Sequence, residues 1–534
     1  MFEPYRPNEV RTAPEPLRNP DDVIDGYVTA FNRHDEELYT QMISNANTAA
    51  WMKREVPFFE CADRLLERVY WFRWWTYRKH ITETPEGPIV SEFLPDVYWA
   101  GAYNSINDAA GHHIAEGRWL RDRDLMRNYA TFWFRGSGNE LSYSSWLVDA
   151  VVQYAESRDD REFAVGLLDD FVRFYQAVEE RNMTRYGLFW SFDDRDAMED
   201  SISGSGLRPT LNSYMVANAR AIAKTAHWAG RETLAVEFDA KAWMLTRHIR
   251  ERLWDPKGGF FKVIPLDDKD GELTSLSFDS IDPKHNVREE IGYIPWMFGI
   301  ADESNEVAWS FLNDPAHFAG AAGIRTAEAS HPRYMNHDSA HECQWNGPCW
   351  PFATTQTLDA MIEEIRSGRG ALTSGDFMRE LRRYAAVHIR QADDGSLVDW
   401  LDENLDADTG NWISRDQLEA WGWREDKGGY ERGKDYNHSA FCDLIISGLA
   451  GVRVESADDG ASELTVSPLA HGSAMPYWRL LGLPVGGTTA DIYYDAEGDR
   501  YGHGQGLTVV LANGSTIHDE STKPQVQVLL PHRA

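Results

Sequence analysis

Cysteine is scarce in this chain: four residues in 534, at positions 61, 343, 349 and 442, with no pair spaced as CxxC. That spacing gives no dense disulfide framework and no zinc pattern, so the thiols read as reduced core side chains. Positive charge is also short, because 53 Lys and Arg stand against 85 Asp and Glu, a formal net charge of −32. So negative a surface repels phosphate backbones and anionic bilayers, which removes nucleic acid and membranes as partners. No apolar run reaches the roughly 18 residues of a membrane-spanning helix. The first ten residues, MFEPYRPNEV, carry neither a basic n-region nor an apolar h-region, and a cytoplasmic location is expected.

Aromatic rings are abundant instead: 21 Trp, 22 Tyr and 23 Phe. Many fill helix interfaces, and the surplus suits stacking on sugars or peptides. Bases are disfavoured by the charge. Pro4, Pro7, Pro14, Pro16 and Pro20 predict an extended arm at the start. Apolar residues then recur at helical spacing over approximately 51–80, 101–117, 119–135, 142–157, 160–181, 210–229, 231–254, 304–313, 350–366, 375–392 and 436–450.

Several of these segments form pairs across short polar turns, as 142–157 with 160–181 and 210–229 with 231–254. Such hairpins pack antiparallel, and six of them in a ring make an all-α (α/α)6 toroid; the competing architecture is an irregular all-α domain. The Ala-rich stretch MVANARAIAKTAHWAG fits a helix buried on all sides. After Val454 the pattern changes to short alternating runs such as ELTVSP, ADIYYD and LTVVLANG, which predict strands. The expected organisation is an arm and first helix over 1–50, a helical barrel over 51–454 and a small C-terminal all-β domain over 455–534.

Long stretches without helical period, at 182–208, 255–300, 314–349 and 393–435, are where function is expected. In the first, Asp193, Asp194, Asp196, Glu199 and Asp200 cluster beside Trp190 and Arg208. Crowded carboxyls next to rings have raised pKa values and can donate a proton at neutral pH; a solvated acidic turn or a cation site, calcium included, is the bland alternative. In the last, Asp402 and Glu403 follow Trp400, and GYERGKDYNHSAF leads into a helix. Between them, QWNGPCWP sets two Trp, an Asn and two Pro immediately before a helix, an entry that would hold rings rigidly as a sugar platform.

These residues also carry a family resemblance. GIRT, a Pro-x-Tyr and WNGPCWPFATTQTL resemble the WRGPxW segment of glycoside hydrolase family 63 and its mannosylglycerate-hydrolase-like relatives, which resemble trehalases and glucoamylases in fold. GLFWSFDDRDAMEDS followed by LNSYM is similar to the family's GMDNS and LNS-type segments, and ENLDADTGNW to its late Glu-x(n)-Thr-Gly segment. The resemblance spans roughly residues 50–450.

It implies an (α/α)6 glycosidase acting on an oligosaccharide or small glycoside with inversion. One protonated carboxyl meets the leaving oxygen while one carboxylate activates water, the two lying ~6.5–9.5 Å apart. By the resemblance, Glu199 stands at the acid position, where the family has Asp, with Asp200 as its rival, and Glu403 stands at the base position. Trp190, Trp345 and Trp350 are expected to bound the sugar; Arg208, Asn212, Tyr436 and His438 to bond its hydroxyls. Asn346 occupies a pocket position where the family usually has Arg. No cofactor or metal is implied, and the sequence leaves the oligomeric state open. Three other readings stay open: an epimerase or isomerase on the same barrel type, using histidines such as His248, His388 or His438; a polysaccharide lyase, against whose polyanionic substrate the net charge of −32 weighs mildly; and an inactive carbohydrate-binding or scaffolding protein.

Overall fold

The computed structural model describes residues 17–336, 341–391, 396–456 and 461–531; the first 16 residues of the proline-rich arm lie outside them. Helices dominate up to residue 449: α1 (Pro20–Asn32), α2 (Thr48–Glu55), α3 (Arg64–Tyr77), α4 (Ala110–Gly117), α5 (Asp124–Arg135), α6 (Leu147–Ser157), α7 (Arg161–Gly166), α8 (Leu168–Asn182), α9 (Pro209–Trp228), α10 (Glu232–Arg252), α11 (Ile294–Met297), α12 (Pro351–Ser367), α13 (Ser374–Ala386), α14 (Ile413–Ala420) and α15 (Phe441–Asp443), the last continued by a π-helix over Leu444–Leu449. Local chemistry sets their ends. Asn19 and Asp63 accept backbone N–H groups at the starts of α1 and α3, Thr373 and Asp376 form a reciprocal cap on α13, and Pro209 and Pro351 open α9 and α12. Gly368, at φ +70°, takes the left-handed position that ends α12.

The packing runs in a cycle. Helix α4 lies on α6, α6 on α9, α9 on α11, α11 on α12, α12 on the π-helical turn, and α15 returns to α4. A second set backs the first: α8 and α10 lie against α9, α13 against α12, and α3 against α13 and α15. Burial separates the two sets. In α9, 16 of 20 residues are buried, whereas α10 buries only Ala235, Phe238, Ala242, Leu245 and Ile249, a single stripe at three- and four-residue spacing. The small Ala side chains of α9 let neighbours approach on every side.

Some boundaries differ from the sequence expectation. Segment 51–80 is split by a strand at Phe58–Cys61, residues 101–109 are irregular with Tyr103 and Asn104 at φ 54° and 59°, and the 304–313 segment is a 3-10 helix over Glu303–Phe311. Helix α13 stops at Ala386 and a strand follows at Ile389–Gln391, while α14 lies inside the stretch read as loop. Apolar periodicity reports burial on one side, which a strand flanked by helices satisfies equally well.

Two antiparallel sheets follow α15. One joins Val452–Ser456, Ser462–Val466 and Val526–Leu530; the other has the order Phe58–Cys61, Tyr477–Val485, Thr488–Asp495, Gly506–Leu511, Thr516–Asp519. The second sheet therefore takes its edge strand from the N-terminal side, with Phe58 opposite Leu481 and Cys61 opposite Trp478. Within that strand the fully buried Glu60 meets Arg18 at 3.2 Å and Arg479 at 3.0 Å. Among the described residues, no helix is long and apolar enough to cross a membrane.

Candidate active site

A cavity of about 450 Å³ is lined mainly by segments that run into the N-termini of helices. Glu92, Trp99 and Asp108 precede α4, Tyr143 precedes α6, Glu199 precedes α9, Trp345 and Trp350 precede α12, Glu403 precedes α14, and Arg432, Tyr436 and His438 precede α15. The cavity thus occupies the end of the ring where those helices start, and the partial positive charge of helix N-termini favours carboxylates there.

Glu199 sits on a loop closed at its base by two short strands, Trp190–Ser191 against Gly206–Leu207. Inside it, Arg208 Nε donates to Asp196 Oδ2 at 2.6 Å, both side chains being fully buried. Asp196 Oδ1 also accepts from Ser144 and Ser191, and Asp193 accepts from Ser201 and Ser205. Left-handed residues at Ala197 and Asp200 complete the turn. The Glu199 backbone carbonyl accepts from the N–H of Trp345 at 3.0 Å, which fastens the loop to the tryptophan segment. Glu199 itself is half-buried. Burial, with the like charges of Asp194, Glu403 and Asp108, pushes its carboxyl up to about 8.

Glu403 is held differently. It is buried, Cys343 Sγ donates to its Oε1 at 2.8 Å, and Arg432 donates to its Oε2. Its N–H donates to Asp402 Oδ1 at 3.0 Å, and His438 Nε2 lies 3.2 Å from its carbonyl oxygen. Next to it, Leu405 and Cys349 exchange two backbone hydrogen bonds at 2.8 and 3.0 Å, so the segment is stitched to the stretch before α12. Burial pushes Asp402 up to about 6, against the pull of Arg415.

The rings form one wall. Trp345 and Trp350 stack with centroids 4.4 Å apart and planes at 12°, and Trp350 Nε1 donates to the Gln344 carbonyl at 2.7 Å. Tyr436 and His438 face each other at 4.0 Å.

The structure brings Glu199, Glu403, Trp345, Trp350, Tyr436 and His438 together on this cavity, and not Asp200, Trp190, Arg208, Asn212 or Asn346. Each of the last four has a local occupation instead. Trp190 donates to the Leu266 carbonyl at 2.7 Å and lines a different cavity. Arg208 braces the Glu199 loop from within. Asn212 bonds the backbone of Phe189 in both directions, and Asn346 donates to the Asn336 carbonyl at 2.8 Å. Neither His248, against the Gly187 carbonyl, nor His388, against the Tyr384 carbonyl, reaches the cavity.

Sequence reasoning passed over Glu92, Asp108, Arg432 and the cavity-wall position of Cys343. Burial and the neighbouring Asp108 push Glu92 well above the usual carboxylate range, and Tyr436 donates to its Oε1; burial pushes Asp108 up to about 6. Arg432 lies in the same GYERGKDYNHSAF segment as Tyr436 and His438, so its place in that segment was the available signal. Among the described residues, no His, Cys, Asp and Glu side chains group as a metal would require.

The chain is similar to known proteins. A solved structure named Sialidase aligns over 95% of this chain at 33% identity and TM-score 0.84, and the chain spans 44% of that protein. A GH78 family rhamnosidase of a Bacillus species aligns over 85% of this chain and 41% of its own at 14% identity and TM-score 0.49. A GH63 mannosylglycerate hydrolase from Thermus thermophilus aligns over 67% of this chain and 95% of its own at 12% identity and TM-score 0.46. No curated protein sequence matches the chain. The family model for the mannosylglycerate hydrolase MGH1-like glycoside hydrolase domain matches residues 102–439, and the chain belongs to that family.

Proposed function

We propose that this protein is an inverting glycoside hydrolase with Glu199 as general acid and Glu403 as general base, on a helical ring read as an (α/α)6 barrel. One observation carries the assignment: two carboxyls from distant segments line the same ringed cavity in opposite surroundings. A carboxyl at about 8 keeps its proton at neutral pH and can deliver it to the glycosidic oxygen. A carboxyl paired with a guanidinium is the suitable partner to take a proton from water.

In that scheme the stacked Trp345 and Trp350 cover an apolar sugar face while polar groups of the wall meet its hydroxyls. As the glycosidic bond breaks, Glu199 passes its proton to the leaving oxygen. Glu403 takes one from the water that attacks the opposite side of the anomeric carbon. Bulk solvent then returns the proton to Glu199 and removes the one on Glu403. Asp200 is left out of the scheme because it is not among the residues that line the cavity.

The test is NMR of freshly released sugar from an aryl glycoside that the enzyme turns over. Inversion gives first the anomer opposite to that of the substrate. The same anomer as in the substrate, or full activity in Glu403→Gln, overturns the scheme.

A further inference from the structure

Residues 342–345 run between the two segments that bear Glu199 and Glu403 and are bonded to both. Asn404 Nδ2, beside Glu403 in the chain, donates to the Glu342 carbonyl at 3.2 Å, and the N–H of Trp345 donates to the Glu199 carbonyl at 3.0 Å. The Glu342 side chain is fastened as well, by Lys427 at 2.7 Å and by Arg432 at 3.3 Å. Between these fixed points Cys343 donates from its thiol to Glu403 Oε1 at 2.8 Å. The two oxygens of Glu403 therefore differ. Oε2 accepts from the guanidinium of Arg432, which keeps its protons at any working pH, whereas Oε1 accepts from a thiol, a weak donor, and retains a second lone pair.

Resting on the glycosidase reading, we propose that Cys343 is a positioning residue for the general base: its S–H holds Oε1 of Glu403 so that the free lone pair of that oxygen faces the attacking water. The proton taken from water then arrives on Oε1, while Oε2 stays with Arg432. A thiol suits this place because a weak donor fixes direction and takes little basicity from the oxygen that must accept the proton. The role requires the thiol to keep its hydrogen, since a thiolate would repel the carboxylate. Burial and then the charge of Glu403 push the Cys343 thiol well above its ordinary value; Arg432 pulls the other way, and Glu199 and Glu342 add to the rise. The other cysteines take no part: Cys61, Cys349 and Cys442 are 0%, 2% and 0% exposed and lie outside the cavity lining.

The test has two arms, and the first needs no substrate. Alkylation by iodoacetamide at about pH 8.5, read by peptide mass spectrometry, follows the thiolate at each cysteine. In the native protein Cys343 should label slowly and the three buried cysteines not at all. Glu403→Gln removes the neighbouring negative charge and should speed labelling of Cys343 about 10-fold. An unchanged rate in Glu403→Gln overturns the proposal. The second arm uses an aryl glycoside that the enzyme turns over. Cys343→Ala should lower kcat about 10-fold with KM within about 2-fold, and Cys343→Ser, which restores a donor, should recover most of the loss. Full kcat in Cys343→Ala, a loss confined to KM, or a Cys343→Ser variant no better than Cys343→Ala overturns the proposal too. If Cys343→Ala does not fold, the alkylation comparison decides alone. Labelling that responds to Glu403→Gln in a protein that turns over no glycoside would instead sink the hydrolase reading and leave the hold of the thiol on Glu403 standing.

Discussion

Glu199 and Glu403 face the same cavity from settings that differ in nearly every physical respect. Glu199 is half-buried, is surrounded by like charges and has its carboxyl raised to about 8. Glu403 is buried and gripped through both oxygens, by a thiol and by a guanidinium. Rigid support also comes from different sources. The Glu199 loop is braced by the ion pair of Arg208 and Asp196, whereas the Glu403 segment is held by backbone bonds of Asn404 with Ile413 and of Leu405 with Cys349. In the proposed mechanism the same residue type serves two ends of a proton transfer because its surroundings differ.

The contrast can be broken most severely at Glu403. Glu403→Gln keeps the shape and removes the proton acceptor, so turnover should fall by about 10⁴-fold, at the upper end for general base catalysis, with an unchanged circular dichroism spectrum. Next comes the brace of the opposite loop. Arg208→Ala leaves Asp196 buried without its cation, an expected loss of about 3–5 kcal/mol in denaturant unfolding, together with loss of activity. Glu199→Gln should lower turnover of an alkyl glycoside by about 10²–10³-fold and recover most of it with a dinitrophenyl leaving group, which needs little protonation. Asp200→Asn should change either rate by less than about 10-fold; a deficit rescued only in Asp200→Asn would exchange the two roles.

The smallest effects are in the pH dependence. If Glu199 must carry its proton, kcat/KM should decline as pH rises through about 8, and that limb should be absent in Glu199→Gln. The sign for stability follows from the same shift. A carboxyl at about 8 when folded and 4.5 by reference contributes stability that is complete below the lower value and lost as pH rises to the higher. Glu199→Gln should therefore gain melting temperature over the unaltered protein at pH 9 relative to pH 4, by about 1–2 °C for a half-exposed group in a chain of this size.

Much of the helical part was legible because its signal is periodic and local. The dense apolar pattern of α9, the turns that separate hairpins and the proline-marked start of α12 all speak through nearest neighbours. The two segments bearing Glu199 and Glu403 were legible through their resemblance to a family, which no spacing rule supplies. What failed was adjacency. Trp190 and Arg208 stand next to the acidic cluster in sequence, yet a closing strand pair turns the first towards Leu266 and the second inward to Asp196. Glu92 and Asp108 went unread because nothing local distinguishes a lone acid in a loop from a solvated one; Glu92, for one, meets Tyr436, 344 positions away.

The strand Phe58–Cys61 gives the molecule a clasp. Because the longest β-strand of the C-terminal region pairs with it, a segment that precedes α3 and a segment that follows α15 share one sheet, and the helices between them are joined across that pairing. Melting should then be a single cooperative event shared by ring and sheet rather than two separate ones. A cut after Gly451 would leave an unpaired edge strand, with Phe59 and Cys61 on one face and Phe58 beside the charged Glu60 on the other, as a template for self-association.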